Sequence, residues 1–275
     1  MEVNVDSMIH LDMQVFNCRA EFLLNDIPVR CLDSSRQPFI TIVAHRYLIT
    51  GKNKLKMVVL PNAKPSSSLD PHTVMDVPED AMAAVRLVQY PLGGTPGELD
   101  GAELFSELSW AQKEQEGDEV TMHPIVKEVE FEIPKIFDRW EWQGCRQIDW
   151  NGERTDILAF AESLYAMFRE GRGAELTEKA ATYLADYGKS IPAYGEDNYR
   201  NDLIQSVNRV PQKAGALPEF DPEALDLRLV GDGRMVQMLK KNWAPNLSVP
   251  PQADGYTYAL DFFVGKLSGG YAIVF

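Results

Sequence analysis

Cysteine is scarce in this chain, and what there is rules out two scaffolds. Cys18, Cys31 and Cys145 are odd in number and share no CxxC spacing, which argues against a disulfide framework and against a zinc knuckle and leaves reduced, mostly buried thiols. Histidine is scarce too: His10, His45, His72 and His123 lie far apart without ligand spacing, so no metal site is expected. Positive charge is in deficit, 27 Lys and Arg against 41 Asp and Glu for a formal charge of −14. Phosphate binding draws on clustered bases, so the charge argues against a general nucleic-acid or anionic-membrane binder. Long apolar runs are missing, and "MEVNVDSMIHLDMQ" has neither the basic n-region nor the apolar h-region of a secretory signal, so the expected compartment is the cytoplasm. The chain holds no HExxH, GxSxG or EF-hand spacing, and "GKNKLK" lacks the upstream glycine and the Ser or Thr of a phosphate loop. No cofactor is expected.

What is present is an ordinary globular composition, 45% hydrophobic and 25% charged, over 275 residues, a length that favours two domains. The apolar pattern changes period along the chain. Up to about Ile133 it alternates by two: Cys18, Ala20, Phe22 and Leu24, then an Asn25-Asp26 turn, then Ile27, Val29 and Cys31; later Leu55, Met57 and Val59; later still Val129, Phe131 and Ile133 against Glu128, Glu130 and Glu132. Alternating strands punctuated by Pro, Gly and Ser clusters predict an antiparallel β-sandwich over residues 1–150.

After "NGERTD" the period becomes helical. Ile157, Phe160, Leu164 and Phe168 make one stripe, with Thr155 or Asp156 as its cap and Gly171 as its stop. A second helix is expected in "AELTEKAATYLADYG" with Gly188 as its stop, and a third from Tyr199 to Val207. Two hairpins follow, one closed at Asp232-Gly233 and one around Ser268 to Gly270. Residues 151–275 therefore read as an α+β domain of helices packed on a curved antiparallel sheet.

Two resemblances attach to these segments. "FLLNDIPV" with "AHRYLITGKNKLKMVV" resembles the galactose-binding-like, jelly-roll sandwich domains, in which a strand ending Leu-Asn-Gly and a later Gly-x-Asn-x-Leu strand recur. Asp26 stands where that pattern has Gly. The element order after Trp150, with "FREGRGAEL" after the first helix and a last strand after a Gly-rich turn, resembles the nuclear transport factor 2-like fold. That resemblance implies a ligand held between helices and sheet, and in family enzymes a His-Asp pair or an Asp base with a Tyr donor. All four histidines precede residue 151, so only the second version remains, with Asp226 or Asp261 and Tyr258 as candidates. Strict alternation in "YTYALDFFVG" puts Asp261 opposite Tyr256 and Tyr258, which leaves simple solvation as the competing reading.

Two other features carry binding chemistry. Trp140 and Trp142 are two apart and would share a face in an extended segment, as a platform for a sugar ring; burial at a domain junction is the favoured alternative. Between Glu98 and Pro134 eleven carboxylates face two lysines, Lys113 and Lys127. Residues 1–150 carry 24 acids and 14 bases, the remainder 17 and 13. Solvation accounts for such a run; the functional alternative is docking of a basic partner through Glu114, Glu116, Asp118, Glu119, Glu128, Glu130 and Glu132. The leading expectation is a non-enzymatic protein-binding protein, an immunity or adaptor protein by analogy. A cone-fold enzyme or carrier for a small apolar ligand in the second domain, and a carbohydrate-binding protein, are the alternatives.

Overall fold

A computed structural model describes residues 8–60, 78–91, 93–95, 97–114, 124–134, 139–191, 194–214, 217–241, 245–250 and 258–275. They form four antiparallel sheets and four α-helices, and no sheet closes into a barrel among the described residues. The chain divides into two compact units, Met1–Arg139 and Trp140–Phe275.

The first unit is built from eight strands: β1 (Ile9–Phe16), β2 (Arg19–Leu24), β3 (Ile27–Asp33), β4 (Phe39–Val43), β5 (Gly51–Leu60), β6 (Met82–Gln89), β7 (Glu103–Ala111) and β8 (Ile125–Ile133). They pair as β4-β1-β6-β7 and β3-β2-β5-β8. The period of two seen in sequence is the period of burial. Ile9, Leu11, Met13, Ala83, Val85 and Leu87 of one sheet, and Ala20, Phe22, Leu24, Leu55, Met57 and Val59 of the other, are withdrawn from water. The Asn25-Asp26 turn forms as read, both residues left-handed (φ 52° and 57°), the geometry a two-residue hairpin needs. Asn25 then reaches Asn53 Oδ1 at 2.8 Å and accepts the Lys54 amide at 3.0 Å. Asn53 in turn closes its own loop through Ile49 and Gly51.

The second unit opens on a 3₁₀ turn, Glu141–Gly144, followed by α1 (Trp150–Glu170), α2 (Gly173–Lys179), α3 (Ala181–Ser190) and α4 (Glu196–Ala214). Strands β9 (Leu225–Val230), β10 (Met235–Lys240), β11 (Leu247–Val249), β12 (Tyr258–Leu260), β13 (Phe263–Leu267) and β14 (Gly270–Ile273) follow. The four-stranded order is β14-β13-β10-β9, and β11 pairs with β12. Ile157, Leu164, Phe168, Leu184 and Val207 of the helices share one core with Val236, Met238, Val264 and Ile273 of the strands. Among the described residues no helix is long and apolar enough to cross a membrane.

Several boundaries differ from the sequence reading. Helix α1 starts at Trp150, capped by Asp149, whose carboxylate accepts the Gly152 amide at 3.3 Å, so Thr155 and Asp156 lie inside it. Gly171 does end it, at φ 71°. The second predicted helix is two, broken at Ala180, and the latter of them runs through Gly188. A Cβ there would sit 2.9 Å from Glu196 Cβ, so this glycine admits the start of α4 instead of stopping α3. The final strand also breaks, at Asp261-Phe262, yet Tyr258, Leu260, Phe262 and Val264 all still face the core.

Candidate functional site

The acidic run resolves into a strand with a polar side. On β8, Glu128, Glu130 and Glu132 are solvent-exposed while Val129 and Phe131 turn inward and Ile133 is buried. β8 closes its sheet, so the three carboxylates form a ridge along a sheet margin, repeating every ~7 Å. The neighbouring strand sets Lys56, Lys54 and Lys52 directly opposite Glu128, Glu130 and Glu132. Sequence reading of β8 alone missed this ladder; the signal was the Lys-x-Lys-x-Lys alternation in "GKNKLK". Two of the lysines also reach the hairpin turn of β2 and β3. Lys54 Nζ lies 2.5 Å from Asp26 Oδ2 and Lys56 Nζ lies 3.9 Å from Asp26 Oδ1. Glu116, Asp118 and Glu119 lie outside the described residues, as does the Glu114 side chain.

A carboxylate and a tyrosine do meet, though not where the fold resemblance implied. Asp12, on the outward side of β1, is 3% exposed. Thr41 donates to its Oδ1 at 2.7 Å, and Tyr90 donates a short hydrogen bond to its Oδ2. The Tyr90 oxygen also accepts the Gly97 amide at 2.7 Å. Burial, with the Asp12 carboxylate behind it, pushes the Tyr90 phenol above its ordinary value. Both carboxylate oxygens and the hydroxyl are thereby engaged, so the arrangement ties the Gly97 backbone to the sheet. Its sequence signal was the single acid of a central strand, between His10 and Gln14 on the polar side of the alternation.

In the second unit the candidates have different surroundings. Tyr258 stacks on Phe168, with ring centroids 6.1 Å apart and planes 12° apart. Asp261 lies on the opposite side, where Gln237 reaches it at 3.5 Å. Gln237 accepts from Arg228 Nε at 2.6 Å, and both residues are buried. Asp226 is two residues from Arg228 on the same strand face. Asp261 thus meets Arg228 through Gln237, and Tyr258 packs against the helix-facing core. Tyr256 lies outside the described residues.

Trp140 and Trp142 are 2% and 6% exposed and offer no ring face to a sugar. They are drawn in by Asp186 of α3, whose carboxylate accepts the backbone amides of Glu141 at 2.8 Å and Trp142 at 3.2 Å. Trp142 packs edge-on against Phe275. A further polar cluster fastens the first turn of α1: Glu153 takes Lys266 at 2.9 Å and Arg146 at 2.5 Å. The Lys266 hydrogen bond is the main reason the Glu153 carboxyl is held below its ordinary value. Among the described residues no three His, Cys, Asp or Glu side chains are placed to hold a metal ion. His45 is committed to accepting the Ile9 amide at 2.9 Å.

Comparison with protein-family models, with curated proteins and with solved structures found no match to this chain.

Proposed function

We propose that this protein is a non-enzymatic binding protein that docks a basic protein partner through its first unit. The observation that carries the reading is the ridge of Glu128, Glu130 and Glu132, exposed at alternate positions of a margin strand while Lys54 and Lys56 also reach Asp26. Exposed carboxylates on a rigid strand hold a fixed negative field without ordering cost, and such fields raise association rates by roughly 10 to 10³-fold at low salt. The excess of acids over bases in residues 1–150 points the same way. A partner presenting Lys or Arg at a spacing of ~7 Å, on an extended strand or along one face of a helix, matches the ridge. Immunity or adaptor duty is the concrete form of this reading.

The same reading takes the first unit as a jelly-roll-like sandwich. It is supported by two four-stranded antiparallel sheets and by the hydrogen bond that Asn25 donates to Asn53, the asparagines of the two motif phrases. It takes the second unit as nuclear transport factor 2-like, supported by helices that precede and share a core with an antiparallel sheet.

The test is capture of partners on the immobilised chain at low and moderate salt, alongside a variant carrying Glu128→Lys, Glu130→Lys and Glu132→Lys. A basic protein held stoichiometrically by the parent chain, shed by salt and not held by the variant, is the expected result. Capture that ignores both salt and the three substitutions rejects the reading.

A further inference from the structure

Margin strands are liabilities, and this protein guards most of its own. Strand β3 carries Pro28, Arg30 and Asp33 and pairs across a bulge. Strand β8 carries Lys127 and its three glutamates, β7 carries Glu103 and Glu107, and β9 carries Asp226 and Arg228. Strand β14 is only four residues long. Charges, proline, bulges and shortness are the devices by which sheets avoid pairing at their margins. Strand β4, Phe-Ile-Thr-Ile-Val, is one residue longer than β14 and carries no charge, proline or bulge, and every one of its residues is at least partly exposed.

The hydrogen bonds at its two ends say which main-chain groups are open. Val15 N–H donates to the Pro38 carbonyl at 2.8 Å, and Ala44 N–H donates to the Ile9 carbonyl at 2.8 Å. Antiparallel ladders alternate between bonded and non-bonded pairs. With this register, Ile40 and Ile42 direct their main-chain groups to β1. Phe39, Thr41 and Val43 direct theirs away from the sheet, where no described strand pairs with them.

We infer that the open edge of β4 pairs antiparallel with the same edge of a second copy of this chain. A two-fold axis at Thr41 sets Thr41 against itself, Phe39 against Val43 and Ile40 against Ile42, and satisfies about six main-chain groups on each edge. Threonine pairs and aromatic-to-β-branched pairs are favourable across strands. No charge opposes another along the strand, which matters for a chain of net charge −14. The acidic ridge belongs to the other sheet. One five-residue pair buries less than the ~1,200 Å² of a stable interface, so dissociation constants on the order of 100 μM are expected. Salt screens the repulsion of two acidic copies and strengthens the dimer, the opposite of its effect on a basic partner at the ridge.

Sedimentation velocity of the full chain from about 5 to about 500 μM brackets that range. The expected result is a concentration-dependent shift from monomer to dimer, larger in high salt. Two variants localise it. Phe39→Lys places a charge at the edge, and Val43→Pro removes an outward amide without touching the bonds to β1. Each is expected to weaken dimerisation at least tenfold while circular dichroism stays as in the parent. Hydrogen exchange of the parent gives a reading that needs no variant: the amides of Phe39, Thr41 and Val43 slow with rising concentration. A chain that stays monomeric throughout, a dimer indifferent to whichever variant folds, or edge amides that exchange at a constant rate overturns the inference.

Discussion

Lys54 and Glu130 stand directly opposite one another on β5 and β8, yet the ammonium of Lys54 sits 2.5 Å from Asp26, at the hairpin turn. Asp26 therefore decides how negative the ridge is. It occupies the turn position at which the jelly-roll pattern has Gly, and its φ of 57° suits glycine without strain. Asp26→Gly is expected to free Lys54 and Lys56 toward Glu130 and Glu128. Stability should move by less than about 1 kcal/mol, because a partly exposed pair contributes little. Binding of a decalysine probe should weaken and its salt dependence flatten; titration of the probe at three salt concentrations checks this. Unchanged binding would detach the ridge from Asp26.

The alternating strands, the Asn25-Asp26 turn and the Gly171 stop were legible because each is a local matter of period or of φ. The Lys52, Lys54, Lys56 ladder was not, because β5 and β8 lie some 70 residues apart and only their register joins them. Asp12 and Tyr90, 78 residues apart, were hidden for the same reason. Gly188 misled because a helix-stopping glycine and one that admits a neighbouring helix look alike in sequence, and only the Glu196 contact separates them. Trp140 and Trp142 offered two readings until Asp186, more than forty residues on, drew their turn inward.

Tyr90→Phe removes the donor to a buried carboxylate and the acceptor of the Gly97 amide in one step. A buried acceptor stripped of its donor costs about 1–3 kcal/mol, and urea unfolding should show a loss in that range. Exchange at the Gly97 amide should accelerate locally as well. A loss of stability without faster exchange there would place the effect elsewhere than in this tie.

Gly265 in β13 leaves no room for a side chain. A Cβ at that position would lie 2.4 Å from Cys145 Sγ and 2.9 Å from Val274 Cγ2. Gly265→Ala is expected to destabilise by about 1–3 kcal/mol through overpacking. Adding Cys145→Ala removes the nearer clash, so the double variant should be more stable than the sum of the two single losses implies. Strict additivity in thermal unfolding would contradict the contact.

Burial pushes the thiols of Cys18 and Cys145 up to about 11, with Phe16 and Met82 backbone groups easing the first and Arg234 the second only in part. Both should be almost entirely protonated at pH 8, where an ordinary cysteine is substantially ionised. Alkylation of the folded protein with iodoacetamide, followed by peptide mapping, is expected to modify Cys18 at least ~100-fold more slowly than a free cysteine peptide. Cys145, buried at 1% exposure, should react only on unfolding. Rapid alkylation of Cys18 would show that its hydrogen bond to the Met82 carbonyl at 3.2 Å does not persist.

Asp186 gives a pH dependence whose sign follows from its surroundings. Burial raises its carboxyl above the ordinary value of 3.8 despite the amides of Glu141 and Trp142 and the nearby Lys189. A group whose folded value is raised contributes stability that is complete below its unfolded value and is lost as pH climbs through the folded one. Asp186→Asn keeps one acceptor for the two amides and has no charge to bury. The stability of the parent relative to this variant should therefore be greatest near pH 3 and decline as pH rises toward 7, measured by urea unfolding with tryptophan fluorescence as the signal. If the advantage of the parent grows with pH instead, the amides and Lys189 outweigh burial, and the ionised carboxylate is what holds the Trp140 to Gly144 turn in place.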